Sequence, residues 1–184
     1  MPRTIAALAL AATLAACSGS GGTTDSSPRT TGAGTVSPNE SPPPQNSTAR
    51  VGETLTLHGT EEGSAIEVTV AEVIDPYTLQ SEVLVPEEGT RLIAFDLELT
   101  NAGTVAYSDA PGNGAVLLDE NDVEWNSVIS GEDVALVSVT MAPGDSDSGL
   151  IYFQLPEDLG IARLRLTLNS GYGPESGEWL LDGS

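Results

Sequence analysis

The chain reads as an all-β protein, a sandwich of about seven to nine short strands, on three observations. Apolar and polar residues alternate over short stretches, which is the period of a half-buried strand. Turn signals built from Gly, Pro, Asn and Asp separate those stretches at short intervals. No segment carries a 3.6-residue apolar stripe over three turns, so no helix competes for the same residues.

The alternation begins after Val51, and residues 53–57 form the first alternating run. Residues 64–73 set Ile66, Val68 and Val70 on one face and Glu67 and Thr69 on the other. Residues 91–100 direct Ile93, Phe95, Leu97 and Leu99 inward, with Ala94, Asp96, Glu98 and Thr100 outward. Further strands are expected over 115–118, 134–140, 150–155 and 161–168, and a last short one holds Trp179 and Leu180. Turns fall at Asn101-Ala102-Gly103, Pro111-Gly112, Glu120-Asn121-Asp122 and Pro143-Gly144. Residues 119–124 form a hairpin tip between Leu117-Leu118 and Trp125, which packs on the core or caps it. Aromatics make up only 4% of the chain, so the core must be aliphatic. A domain of this size buries roughly two-thirds of its unfolded surface, enough for stability without disulfides.

The residues ahead of the strands have a different composition. Arg3 is followed by an uncharged apolar run over residues 5–14, the length of a signal-peptide core of about 7–15 residues. It is far short of the ~20 residues of a spanning helix. Leu14-Ala15-Ala16-Cys17 resembles the lipobox of bacterial lipoproteins, and Cys17 is the single cysteine of the chain. That resemblance implies cleavage before Cys17 and a diacylglyceryl thioether on its sulfur, and two acyl chains anchor firmly where one does not. From Ser18 to about Arg50 the chain is Ser, Thr, Gly, Pro and Asn with almost nothing apolar. Nothing there offsets the entropy of ordering it, so a disordered linker is expected. The organisation is therefore a signal peptide over 1–16, a lipidated Cys with its linker over 17–50, and a sandwich over 51–184.

The order of features beyond residue 50 resembles the immunoglobulin-like, telokin-like domain-of-unknown-function family found on Gram-positive lipoproteins. The residues that carry the likeness are Val51-Gly52-Glu53, then Ile66-Glu67-Val68-Thr69-Val70, then the run from Phe95 to Gly103. Leu118-Asp119, Met141-Ala142-Pro143-Gly144 and the run from Gly149 to Pro156 complete it. The resemblance implies a two-sheet sandwich on the extracytoplasmic face of the cell membrane, in a Gram-positive, high-GC bacterium. It supplies no catalytic residues to transfer.

Composition narrows the function classes. The formal net charge is −21, from 27 acidic residues against six arginines and no lysine. Such a surface repels nucleic-acid phosphates, whose binding requires several cations, and it repels anionic head groups. Gly144-Asp145-Ser146-Asp147-Ser148-Gly149 superficially resembles the surroundings of a protease serine. It follows a Pro-Gly turn and lacks a base, so it reads as a connecting turn. His58, the only histidine, reads as a strand-end residue. Calcium is the one metal with candidate ligands, at Asp119, Asn121, Asp122 and Glu124 and at Asp145 and Asp147. Neither cluster has EF-hand spacing, and both read first as solvated acidic turns. No catalytic constellation, cofactor site or metal site is assigned, and no enzyme is expected. The leading expectation is a membrane-tethered binding or interaction module for an unknown protein or cell-wall partner. The alternative is an accessory or structural subunit of a transport or cell-wall assembly.

Overall fold

The computed structural model describes residues 46–80, 86–130, 132 and 134–181. Leu14, Ala15, Ala16 and Cys17, with the linker up to residue 45, lie outside the described residues. The first half of the fold contains β1 (Asn46–Arg50), β2 (Thr54–His58), β3 (Ala65–Ile74), β4 (Thr90–Asn101), β5 (Tyr107–Asp109) and β6 (Ala115–Asp119). The second contains β7 (Glu124–Val128), β8 (Val139–Met141), β9 (Ser146–Pro156), β10 (Ile161–Thr167) and β11 (Ser176–Leu180).

Nine strands form one sheet in the order β1-β11-β10-β6-β7-β9-β4-β3-β2, and β5 pairs with β8 in a separate ribbon. The long sheet folds over at β7, so that its two halves face each other and share one core. Leu117, Leu164, Leu166 and Trp179 come from one half, and Val68, Phe95, Leu97 and Phe153 from the other. Phe95 and Phe153 meet edge to face at 5.5 Å, a geometry favoured by the ring quadrupoles. Trp179 is fully buried, donates its indole N–H to the Glu53 carbonyl at 3.0 Å, and lies where a side chain on Gly177 would collide with it. Trp125 is half-buried and packs against the same core.

The expected strands over 53–57, 64–73, 91–100, 115–118 and 161–168 are present with bounds shifted by a residue or two. Four differences have physical causes. The domain starts ahead of the boundary expected at residue 51, because Asn46–Arg50 pairs in parallel with β11. Only Ala49 of that strand turns into the core, so the backbone ladder holds it and its side chains carry no strand signal. Residues 146–149, expected as a connecting turn, open β9 and pair with β4 from Ser146↔Thr100 onward. The strand expected over 134–140 shrinks to Val139–Met141, and Ala135 makes only a single parallel bridge to Leu150. The short β5 had no alternation long enough to announce it.

One cation fastens two loops to the end of this sandwich. Arg91, at the start of β4, donates Nε to Asp75 Oδ1 at 2.8 Å and Nη2 to Asp75 Oδ2 at 3.2 Å. Its remaining donors reach the carbonyls of Pro156 and Glu157 at 2.7 and 2.6 Å and of Leu159 at 2.8 Å. Arg91 and Asp75 are 17% and 14% exposed, so removing one partner strands a largely desolvated charge. Replacing Arg91 with Met should lower the unfolding free energy by about 3–5 kcal/mol in urea denaturation. Arg91→Lys should recover only part of that, since an ammonium cannot span the fork of five contacts. A loss below about 1 kcal/mol, the usual size for a surface pair, would show that the clamp is not a structural element.

Candidate functional site

The outer face of the β3-β4-β9 layer takes its character from one irregularity. The alternation of β3 sets Ile66, Val68 and Val70 inward, and a register shift between Val70 and Glu72 then moves the pattern by one residue. Val73 now pairs with Phe95 and packs on the core, while Glu72 pairs with Asp96 on the outer face. A β-bulge re-aims side chains in this way. The next outward row sets Thr54, Thr69, Glu98 and Ser148 side by side, and the row after it Thr56, Glu67, Thr100 and Ser146. Among the described residues, Glu67, Glu72, Asp96 and Glu98 are in no ion pair.

Toward its other end this face becomes apolar. Leu92, Ala94 and Tyr152 point outward, yet all three are buried, and Tyr77, a few residues after β3, lies against Leu92 and Tyr152. Tyr77 stacks edge to face on Tyr152 at 5.1 Å, and its amide donates to the Leu92 carbonyl at 2.7 Å. The Gln80 amide donates to Glu132 Oε1 at 2.8 Å, linking that loop to the one after β7. Burial pushes the Tyr152 phenol up, and Tyr77 adds to the effect while Ser130 opposes it. The hydroxyls of Tyr77 and Ser130 are neighbours of the Tyr152 oxygen, but none closes a hydrogen bond of good geometry with it.

The segment after β7 leaves the sheet and returns to lie along β9. The Leu150 amide donates to the Val134 carbonyl at 2.8 Å, and the Leu136 amide donates to the Leu150 carbonyl at 2.9 Å. This close approach depends on Gly149, where a Cβ would come within 2.9 Å of the Val134 oxygen. Two depressions flank the segment. One, of about 190 Å³, is walled by Val128, Ile129, Leu136, Val137 and Leu150 with Ser127 and Ser130 among its polar atoms. The other, shallower and about 550 Å³, lies between Ile74, Asp96, Val134, Ser148 and Leu150. Ile129, Val137 and Val134 stand 79%, 62% and 54% exposed beside them. The segment was expected to be a strand; the only sequence hint against that is Val134 and Val137 three apart, which a period of two cannot place on one face.

Strain is concentrated elsewhere. Asn169, Ser170 and Gly171 all have positive φ, at 52, 54 and 93°, and left-handed backbone costs a non-glycine residue roughly 1–2 kcal/mol. The neighbourhood holds the turn in place. Asn169 Oδ1 accepts from the Thr60 amide at 2.8 Å, and Ser170 donates its hydroxyl to Asp109 Oδ1 at 2.8 Å. Tyr107 donates its hydroxyl to Asp109 Oδ2 at 2.6 Å. Burial, reinforced by that bond, pushes the Tyr107 phenol far up. The Asn169 side-chain carbonyl oxygen, the Ser170 hydroxyl and both Asp109 carboxylate oxygens are thus occupied by other parts of the fold.

The residues weighed from sequence are not brought together. His58 sits at the end of β2, and its ring Nδ1 and backbone N–H both meet Glu175 Oε1 at 2.6 Å. Asp145 accepts from the Ala142 amide at 2.9 Å within its turn, and Asp147 accepts from the Ser148 amide at 2.9 Å. Asp122 and Glu124 are drawn across to Arg163 and Arg165. Among the described residues no three His, Cys, Asp or Glu side chains converge as a metal would require.

No protein-family model matches the chain, and no curated protein matches it either. Among solved structures it is similar to YcdA of Bacillus subtilis, a candidate lipoprotein, with TM-score 0.54 and 17% identity over 71% of this chain. The match covers only 38% of YcdA. It is similar to MPT63, a secreted protein of Mycobacterium tuberculosis, with TM-score 0.53 and 16% identity over 77% of this chain and 100% of that one. YjhA of Bacillus subtilis matches with TM-score 0.52 and 17% identity over 72% of this chain and 98% of that one. Identities this low establish the β-sandwich fold alone.

Asp119 carries the prediction of this section. It is buried at the end of β6 and its Oδ1 accepts the amides of Asn121 at 2.8 Å and Val123 at 2.9 Å, which shapes the hairpin tip. The Val123 amide is the main reason its carboxyl is held below the ordinary aspartate range; burial opposes this, and the Asn121 amide and the nearby Trp125 indole add to it. The Trp125 N–H faces the carboxylate without closing a well-formed bond. A carboxylate with a depressed folded-state pKa contributes stability above its unfolded value, near pH ~3.9, and loses it as the pH falls through the folded value. Asp119→Asn should therefore destabilise the protein most at neutral pH, with the gap to wild type narrowing below about pH 4. Urea unfolding at pH 7 and pH 3 measures it; a gap that stays constant would contradict the ionic role.

Proposed function

We propose that the chain is a lipid-anchored, extracytoplasmic binding module with no catalytic activity of its own. One observation carries the binding role: the apolar ridge of Ile129, Val134 and Val137, exposed along two depressions on one flank of the sandwich. Burying one such side chain is worth roughly 1.5–3 kcal/mol, and contiguous exposed apolar surface on a soluble fold marks contact sites. Elsewhere among the described residues only Val123 and Leu180 of the branched aliphatic side chains stand exposed, each on a different element, so three outward on one segment read as selection for contact. A cleft with apolar walls and a few hydroxyls is also the usual make-up of a recognition pocket.

The extracytoplasmic reading rests on Cys17 and its preceding Leu14-Ala15-Ala16, supported by a fold shared with a candidate lipoprotein and a secreted protein. In this reading the membrane is reached through the lipid on Cys17 alone. Nucleic acid is not a partner, because the phosphate backbone would face an excess of carboxylates.

Cys17→Ser should leave the precursor unprocessed or move the protein from the membrane to the soluble fraction in cell fractionation. A variant that is still processed and still membrane-bound would place the anchor elsewhere. Chemical crosslinking on intact cells should capture a discrete partner with the wild-type chain. A stable membrane-protein adduct favours an accessory subunit, and soluble ligands or wall polymers favour a free-standing binding module. Hydrolysis of generic ester, peptide or glycan substrates that one point substitution abolishes would overturn the non-enzymatic reading.

A further inference from the structure

We infer that the groove between the outer face of β3-β4-β9 and Val134 receives a basic, partly aliphatic peptide segment of a partner protein. Its aliphatic side chains would rest on Ile74, Val134 and Leu150, and its Lys or Arg side chains would meet Glu72, Asp96 and Glu98. The inference rests on the binding-module reading and adds the chemistry of the partner.

The groove joins two unmet demands. Ile74 and Leu150 are half-buried at its floor and Val134 is mostly exposed at its wall. Asp96 lines it directly, the bulge in β3 brings Glu72 opposite Asp96, and Glu98 lies in the next outward row beside the groove-lining Ser148. Directly opposed side chains on one sheet face stand about 4.5–5.5 Å apart at Cβ, and diagonal ones about 7–8 Å. These carboxylates therefore repel one another within a Debye length of about 8 Å at physiological salt.

Among the described residues, none of these carboxylates is in an ion pair. Arg91 pairs with Asp75, Arg163 with Asp122 and Glu178, Arg165 with Glu124, and His58 meets Glu175. A purely apolar occupant would cover the aliphatic floor while stripping water from unpaired carboxylates, which costs more than it returns. An anionic one would be repelled. A segment carrying both aliphatic and cationic side chains answers both demands. It is read through its side chains, since β4 is paired on both sides along the groove and the Leu150 backbone is already bonded to Val134 and Leu136.

The test titrates the full chain in detergent with a fluorescein-labelled decapeptide of alternating Lys and Val, followed by anisotropy. Binding should weaken about ten-fold or more when Glu72→Gln, Asp96→Asn and Glu98→Gln are combined, and similarly for Val134→Ser. A control triple, Glu61→Gln, Glu62→Gln and Asp158→Asn, removes as many exposed acids far along the fold and should leave affinity within about two-fold. A Glu-Val decapeptide should not bind, and a Lys-Ser decapeptide should bind at least about ten-fold more weakly than Lys-Val. Thermal unfolding of each variant confirms that it is folded, which is expected because every substituted side chain lies on the surface. Equal weakening by the control triple, equal binding of Lys-Ser, or binding of Glu-Val would overturn the inference. Crosslinking on cells separates it from the broader reading: a partner captured equally by wild type and the groove triple leaves the module standing and removes this groove, whereas no capture with wild type removes the module itself.

Discussion

The uninterrupted pairing of β4 with β9 is the constraint on which the rest of the structure depends. Eleven residue pairs run from Thr90↔Pro156 to Thr100↔Ser146 without a register shift. A slip of one residue would exchange its faces, sending Ile93, Phe95, Leu97, Ile151 and Phe153 to solvent. Because that is prohibitive, the outward positions are fixed as firmly as the inward ones, and Asp96, Glu98, Ser148 and Leu150 have no freedom to face elsewhere. The ends of the ladder are fastened separately. Arg91 ties one end to two loops; at the other, the buried Asn101 donates its amide to the carbonyls of Val105 and Met141 at 2.9 and 3.1 Å. The second pairing of each strand can then be irregular, and the bulge in β3 and the short contact of β7 both occur there.

Charge is distributed unevenly over this frame. The first 45 residues balance two arginines against two acids, so the whole excess of negative charge belongs to the remainder. Arg163 and Arg165 both lie on β10, in the half of the sheet away from β3 and β4, and each pairs with acids of neighbouring strands or turns. Exposed pairs of this kind contribute only about 0–1 kcal/mol, so their effect on stability is minor. Their effect on the field is larger: β10 carries two cations among the acids of its neighbours, whereas, among the described residues, Glu67, Glu72, Asp96 and Glu98 on the outer face of β3 and β4 are in no ion pair. The asymmetry follows from where six arginines were placed in the sequence rather than from how many acids there are.

The core was legible in the sequence because it obeys a period of two. Ile66, Val68, Val70, Phe95, Leu97 and Leu99 all point where alternation sends them. What escaped the pattern did so for identifiable reasons. Asn46–Arg50 is held by backbone bonds on a sheet edge, where side chains need not be apolar. Asp147 and Ser148 lie in a strand but look like a turn, because their strand is solvated on one side and begins beyond the core. The acids of residues 119–124 read first as solvated turns; instead, backbone amides meet Asp119, and arginines meet Asp122 and Glu124. The two depressions could not be foreseen at all, since they are formed by a segment that departs from β7 and is readmitted to β9 only because residue 149 is glycine.

The contrast between the left-handed turn at Asn169–Gly171 and the exposed side chains of Ile129, Val134 and Val137 is what favours the latter as the proposed contact surface. Backbone strain often accompanies function, but it is evidence only when the strained groups are left available. At Asn169 and Ser170 the side-chain oxygens are not, since the Thr60 amide donates to one and the other donates to Asp109, and the strain is absorbed in joining β10 to the rest of the fold. The ridge differs. Val134 and Leu136 are bonded through their backbone to Leu150 of β9, while Ile129, Val134 and Val137 stand exposed and, among the described residues, Asp96 beside Val134 is in no ion pair. A fold that satisfies even its most distorted turn, yet leaves adjoining apolar and acidic groups unmet on its most strictly registered strands, has its incomplete surface there.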